Sequence, residues 1–268
     1  MYSKRPRQHK PQNNARHPKT SWDKVSDWYG SYMGKEGGDY QRDIVFPGAL
    51  RLLSPLKQGA YLDLACGQGA FSRLLASKCA HVDGLDVSKS LIEQAKKNAL
   101  KNTRFVVADA TNFAHVLRPE TLDGIVCNLA IQNIDPIGPV FADASHVLKM
   151  GGCFVLTMNH PAFRQPRQSG WGWDEERKLQ YRRVDKYMTE YEMPIIAHPG
   201  SAPSVKTYSY HRPLTSYIQE LAKHGFAVDA LEEWVSNKTS DSGPRAKAEN
   251  VARKEIPLFL AIRAKKIR

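Results

Sequence analysis

Apolar residues follow two alternating rhythms between Tyr61 and Met158. Short, nearly unbroken apolar runs cover Tyr61–Ala65, His81–Leu85, Phe105–Ala108, Leu122–Cys127 and Cys153–Met158. Each reads as a strand. Between them apolar residues return every three or four positions: Phe71, Leu74 and Leu75; Leu91, Ile92, Ala95 and Ala99; Phe141, Ala144, Val147 and Leu148. These read as helices, with Ser88 expected as an N-cap and Gly151-Gly152 closing the last. Strands that are apolar throughout bury both faces. The pattern predicts an α/β fold, a doubly wound and mostly parallel sheet with helices on either side.

The rhythm changes at both ends of this region. Trp22, Val25, Trp28, Tyr29 and Tyr32 recur at helical intervals, and so does Ala49-Leu50-Arg51-Leu52-Leu53. Both read as helices before the first strand. Residues 160–207 break the alternation with Trp171, Trp173, Tyr181, Tyr187 and Tyr191 among prolines and glycines. This insertion reads as an aromatic lid over the carboxyl ends of the strands. Tyr208 to Pro213 then opens a helix through Leu214, Tyr217, Ile218 and Leu221, with Gly225 at its end. Phe226–Trp234 and Pro257–Ile262 read as two further strands, and Ser236–Asn250 as a polar loop.

Composition changes the picture mainly at the N-terminus. Residues 1–20 hold six Lys or Arg and no acid, with almost no apolar residues. Such a segment cannot bury enough surface to order itself, so it reads as a disordered basic tail before a domain spanning 21–268. The 268-residue chain carries a formal charge of +12, and this tail supplies half of it. The charge admits nucleic acid, an anionic membrane face or an acidic substrate as partner. No run is long and apolar enough to span a membrane. Cys66, Cys79, Cys127 and Cys153 are scattered with no C-x-x-C pair, which points to buried thiols in a reducing, cytoplasmic setting and to no metal site.

The chemistry gathers where strands end. Gly67 and Gly69 follow the first strand, allowing a sharp turn and a close ligand approach at a helix N-terminus. A dinucleotide loop would have Gly or Ala in the third slot, where this chain has Ser72. Asp63 within the strand suits a ligand with an ammonium group better than one with a pyrophosphate. Asp86, Asp109 and Asn128 lie at the ends of the next three strands. Asp86 stands about 20 residues past the glycine turn, where a carboxylate can accept both hydroxyls of a ribose. In parallel sheets ligands bind at this carboxyl edge.

Together these motifs resemble the class I S-adenosylmethionine-dependent methyltransferases, most closely their small-molecule branch. D-L-A-C-G-Q-G, with Asp63, Ala65, Cys66, Gly67 and Gly69, matches the family's cofactor loop. L-D-V-S, with Asp86 and Val87, matches its ribose site. A-D-A, with Asp109 and Ala110, matches the position bordering the adenine. C-N-L-A, with Asn128, matches the strand end beside the transferable methyl. His160-Pro161-Ala162-Phe163 and Tyr210-His211-Arg212 match the small-molecule branch. The resemblance implies S-adenosyl-L-methionine as cofactor and a seven-stranded Rossmann-like sheet with one antiparallel edge strand.

Methyl transfer from a sulfonium requires alignment and exclusion of water, and a base only when the acceptor is protonated. His160 is the candidate base, since imidazole titrates near neutrality. Tyr40, Trp171, Tyr210, His211 and Arg212 are candidate acceptor contacts. Asn128 is followed by Leu-Ala-Ile and not by the Pro-Pro-aromatic of exocyclic base methylases, and Cys127 lies inside a strand. Both features favour a small-molecule acceptor. The alternative is an RNA or other nucleic-acid methyltransferase that uses the basic tails. A non-catalytic cofactor-binding subunit and an NAD-dependent dehydrogenase stand further off, given the intact loop, Ser72 and Asp63.

Overall fold

The structure, a computed structural model, describes residues 36–196 and 206–268, together with Trp22. The expected basic tail, the rest of the Trp22–Tyr32 helix and part of the insertion lie outside those residues.

Seven strands form the central sheet: β1 (Ala60–Leu64), β2 (His81–Asp86), β3 (Thr103–Val107), β4 (Leu122–Asn128), β5 (Leu148–Asn159), β10 (Phe226–Trp234) and β11 (Phe259–Lys266). Their order is β10-β11-β5-β4-β1-β2-β3. The first five are mutually parallel. Only β11 runs antiparallel to its neighbours. The antiparallel strand is therefore one position in from the edge, which corrects the expectation of an antiparallel edge strand; β10 occupies the edge. The cause is the connection. The chain leaves β10 at the carboxyl edge and re-enters the sheet from that same edge, where the Leu258 N–H donates to the Trp234 carbonyl at 2.8 Å. A strand entered from the edge at which its neighbour ends must run antiparallel to it.

Helices α1 (Phe46–Leu53), α2 (Ala70–Ala76), α3 (Lys89–Lys97), α4 (Gly138–Val147) and α5 (Leu214–Lys223) flank the sheet. One face buries Leu62, Leu64, Ile125, Cys127 and Phe154 beneath Phe141 and Tyr217. The other buries Tyr61, Val126 and Val155 beneath Phe46, Leu52 and Phe71. Strands apolar on both faces are thus covered on both, as their composition requires. Ser88 caps α3, its hydroxyl accepting from the Leu91 N–H at 3.2 Å.

Three expectations shift. The insertion holds two hairpins, β6 (Ser169–Asp174) with β7 (Leu179–Val184), and β8 (Tyr191–Ile196) with β9 (Lys206–His211). Tyr208 to His211 therefore lies in a strand and does not open a helix; α5 begins at Leu214 after Pro213. The segment read as a polar loop, Ser236–Asn250, ends inside helix α6 (Ala246–Glu255). The helix buries only Ala252, so it lacks the apolar stripe that would betray a helix.

Candidate active site

The turn after β1 is built from left-handed backbone. Ala65, Gly67 and Gly69 have φ of 59°, 56° and 79°. A Cβ on Gly69 would lie 2.8 Å from the Phe105 ring, so glycine is demanded by packing as well as by conformation. Gly84 in β2 belongs to the same cradle and was not singled out from the sequence. A Cβ there would meet Phe105 at 2.5 Å and the Cys66 Sγ at 3.1 Å.

Two carboxylates shape this turn. Asp86 accepts the Gly67 N–H on Oδ2 at 2.8 Å and the Ser88 N–H on Oδ1 at 2.9 Å. It thereby locks the glycine turn to the end of β2. Asp63 is buried and accepts the Ser72 hydroxyl on Oδ2 at 2.6 Å. Ser72 therefore fills the third slot as the partner of Asp63. Burial raises the Asp63 pKa to about 7; the Ser72 hydrogen bond opposes the rise, and the Asp86 charge adds to it. Burial also lifts the Cys66 thiol well above its usual value, so this side chain stays protonated. Val87 is half-buried between Asp86 and Ser88.

Past β3, Asp109 is exposed and takes the Thr111 N–H at 2.9 Å and its hydroxyl at 2.8 Å, a local turn. Ala110 packs against the core beneath it. Asp143 of α4 steadies the loop by accepting the Phe113 and Ala114 N–H groups at 2.6 and 2.9 Å.

At the ends of β4 and β5 the geometry differs. The Asn128 Oδ1 accepts from the Thr157 hydroxyl at 3.1 Å. Leu129 sits at φ 51°, strained for a non-glycine, and its carbonyl accepts from Gln132 Nε2 at 2.7 Å. Neither Thr157 nor Gln132 stood out in the sequence, because no local motif marks them. The expected base, His160, has both ring nitrogens engaged. Nδ1 accepts from the Ala162 and Phe163 N–H groups at 3.2 and 3.4 Å, which places the proton on Nε2, donated to Glu233 at 2.7 Å. Burial holds its pKa below the usual value, against the raising effect of Glu233. So placed, the ring has no free lone pair with which to take a proton, and it ties β5 to β10.

The hairpins are pinned by the residues expected to touch the acceptor. His211 donates from Nε2 to the Tyr187 carbonyl at 2.7 Å and packs on Tyr191, centroids 4.8 Å apart. The Tyr191 hydroxyl reaches Gln165 Oε1 at 2.6 Å, and the Tyr187 hydroxyl accepts the Leu214 N–H at 2.9 Å at the start of α5. Buried Arg212 spans to Asp135 at 2.5 Å and to the Ile134 carbonyl at 3.1 Å, 5.5 Å from the Tyr210 ring. The Ser209 hydroxyl reaches the Gln132 carbonyl at 3.4 Å. The second hairpin thus lies on the loop that follows β4.

The other two candidates make different contacts, Tyr40 beside the carboxyl end of β5. Trp171 on β6 is 41% exposed and stacks with Arg182 at 5.0 Å. Tyr40 packs edge-on to Phe259 at 5.6 Å and shares a 3.0 Å hydrogen bond with the Ser236 hydroxyl. A hollow of about 720 Å³ lined by Leu50, Ser54, Lys57, Gln58, Lys78 and Cys79 opens at the amino ends of β1 and β2, the edge opposite the glycine turn.

Residues 62–152, from β1 to the glycine pair within β5, match a methyltransferase domain family. The segment from β1 to β5 thus carries a methyltransferase domain. The chain is 25% identical over 166 residues to a malonyl-[acyl-carrier protein] O-methyltransferase of Hamiltonella defensa, a match covering 60% of this chain and 63% of that one. It is 31% identical over 108 residues to a ubiquinone biosynthesis O-methyltransferase of Xylella fastidiosa, covering 39% and 44%. The chain thus spans less than two thirds of each of these two relatives. Its fold is that of an S-adenosylmethionine-dependent methyltransferase from Mesorhizobium loti, with a TM-score of 0.67 over 87% of this chain and 100% of that one at 23% identity.

The turn fits such a cofactor. Its backbone leaves room where Gly67 and Gly69 have no side chain, and two acidic side chains, Asp63 and Asp86, stand behind it, Asp63 being one that a nearby cation would ionise. A cationic ligand rich in hydroxyls complements that set; a pyrophosphate would face two carboxylates.

Proposed function

We propose that this protein transfers the methyl group of S-adenosylmethionine to a small-molecule acceptor, bound at the carboxyl ends of β4 and β5 beneath the second hairpin. The observation that carries this reading is the pinning of the second hairpin onto the loop after β4 through Ser209 and the adjoining Arg212. It sets the hairpin beside the strand end where the methyl would be presented. Two relatives are O-methyltransferases, which supports the same reaction class.

In this reading Asp63, Gly67 and Gly69 hold the amino-acid end of the cofactor, Asp86 and Val87 its ribose, and Asp109 and Ala110 border its adenine. The cofactor supplies a methyl on a positively charged sulfur, already electrophilic. The work left to the chain is alignment and exclusion of water. Ala65 and Leu129, both held in left-handed backbone, turn the chain away at the ends of the neighbouring strands β1 and β4. His160, with both nitrogens hydrogen-bonded, acts as a brace and keeps Phe163 stacked upon it at 4.7 Å. Arg212, His211 and Tyr210 close the acceptor side.

The test has two arms. Calorimetric titration should find S-adenosylhomocysteine bound and NAD not bound. Methyl label from S-adenosylmethionine should then enter small molecules and not bulk RNA. Label in RNA, made only by the chain with residues 1–20 intact, would establish the nucleic-acid alternative.

A further inference from the structure

Few buried side-chain polar atoms among the described residues lack a hydrogen-bond partner. Two of them, Asn128 Nδ2 and Gln132 Oε1, belong to one five-residue segment at the end of β4. An orphaned buried donor or acceptor is costly, so a pair of them in one place asks for a ligand that answers both. The rest of each amide is already committed. Asn128 Oδ1 holds Thr157, and Gln132 Nε2 holds the Leu129 carbonyl. The orientation of both groups is therefore set, with a donor N–H and an acceptor oxygen left over. Strain at Leu129, φ 51°, marks the same segment as one shaped for use and not for ease of folding.

We propose that Asn128 and Gln132 together grip a hydroxyl group of the acceptor, so that oxygen is the atom methylated and Gln132 is a specificity-determining residue. This rests on the methyltransferase reading above. A hydroxyl is the smallest group that both donates to Gln132 Oε1 and accepts from Asn128 Nδ2. It keeps a second lone pair for reaction. A carboxylate has no proton to give, an ammonium has no lone pair to offer, and a carbon nucleophile does neither. In the transfer the free oxygen lone pair forms the O–CH3 bond while the S–CH3 bond breaks and its electron pair returns to sulfur. The hydroxyl proton, held toward Gln132 Oε1 during transfer, stays on the methylated oxygen and is lost to bulk water as the product leaves the site. Gln132 accepts a hydrogen bond throughout and takes up no proton.

The experiment compares the full chain with Gln132→Met, which keeps the volume and removes the acceptor oxygen, and with Gln132→Glu, which keeps an acceptor oxygen. Methyl label is followed into three mixed probe sets: phenols and aliphatic alcohols, amines, and carboxylic acids. Affinity for S-adenosylhomocysteine is measured alongside. The expected result is label in the hydroxyl set, a kcat/KM lowered by about tenfold to a hundredfold in Gln132→Met, and most of that loss recovered in Gln132→Glu. S-adenosylhomocysteine affinity should stay within twofold. Binding of S-adenosylhomocysteine with label only in amines or carboxylic acids, with no label in the hydroxyl set, or with turnover indifferent to Gln132→Met overturns the proposal and leaves the methyltransferase reading standing. Failure to bind S-adenosylhomocysteine at all overturns both.

Discussion

At the ends of β1 and β2 polar groups are closed by near neighbours, whereas at the ends of β4 and β5 they are closed across long stretches of chain. Asp63 meets Ser72 nine residues on, and Gly67 meets Asp86 nineteen residues on. Gln132 meets Ser209 and Asp135 meets Arg212 across 77 residues, and His160 meets Glu233 across 73. The first half is a strand, a turn and a helix whose geometry follows from two glycines and two acids. The second exists only once the hairpins have docked. The difference teaches that the glycine turn and the proposed acceptor site are separable. The cradle should survive damage to the insertion, while the acceptor site should not.

The largest expected effect lies within the cradle. Asp63 is buried with a pKa near 7, against a usual 3.8. A carboxyl whose pKa is raised on folding contributes stability below its unfolded pKa and loses it as pH rises through the folded one. The cofactor-free protein should therefore lose stability between about pH 4 and pH 7, on the order of a few kcal/mol. Asp63→Asn should flatten that slope in denaturant titrations at several pH values. Bound S-adenosylhomocysteine should also reduce it, because a cation beside Asp63 favours the carboxylate. A wild-type slope unaffected by the ligand would place the ligand's ammonium elsewhere.

Asp86→Ala comes next. It removes the lock on Gly67 together with the charge-assisted hydrogen bonds to the ligand that we propose for Asp86. S-adenosylhomocysteine binding should weaken by about 2–3 kcal/mol, read by calorimetry, with circular dichroism unchanged. Undiminished affinity would take the ribose away from Asp86.

Arg212→Met probes the other half. The clamp onto Ile134 and Asp135 goes, and turnover should fall about tenfold or more, equivalent to 1–3 kcal/mol, while cofactor affinity stays within twofold. If affinity falls in step with turnover, the two halves are coupled and the comparison fails.

His160→Ala sharpens the point at lower cost. It deletes the bond to Glu233 and the bracing of residues 162 and 163, so stability should drop by about 1–2 kcal/mol. The pH–rate profile should keep its shape. Loss of one limb of that profile at unchanged stability would restore His160 as the base. The smallest effect should come from deleting residues 1–20: turnover on the true acceptor is expected to be nearly unchanged, with any RNA binding lost and already salt-sensitive in the intact chain.

The amino-acid sequence by itself determined the order of strands and helices from Tyr61 to Met158, the glycine turn and the acids at the strand ends. These are local facts: apolar period, left-handed turns and caps are written in neighbouring residues. Ser88 as a cap and Gly67 and Gly69 as turn residues could be read that way. Tertiary structure alone decided the rest. Ser72 reads as a missing glycine until its hydroxyl is seen on Asp63. His160 reads as a base until Glu233 arrives from β10. The antiparallel strand moves in from the edge because its connection stays on one side of the sheet. Gln132 carries no motif and becomes visible only as an unpaired oxygen in a buried place. Contacts between residues more than 70 positions apart leave no period in the chain, since loop closure depends on the whole fold and not on any one segment.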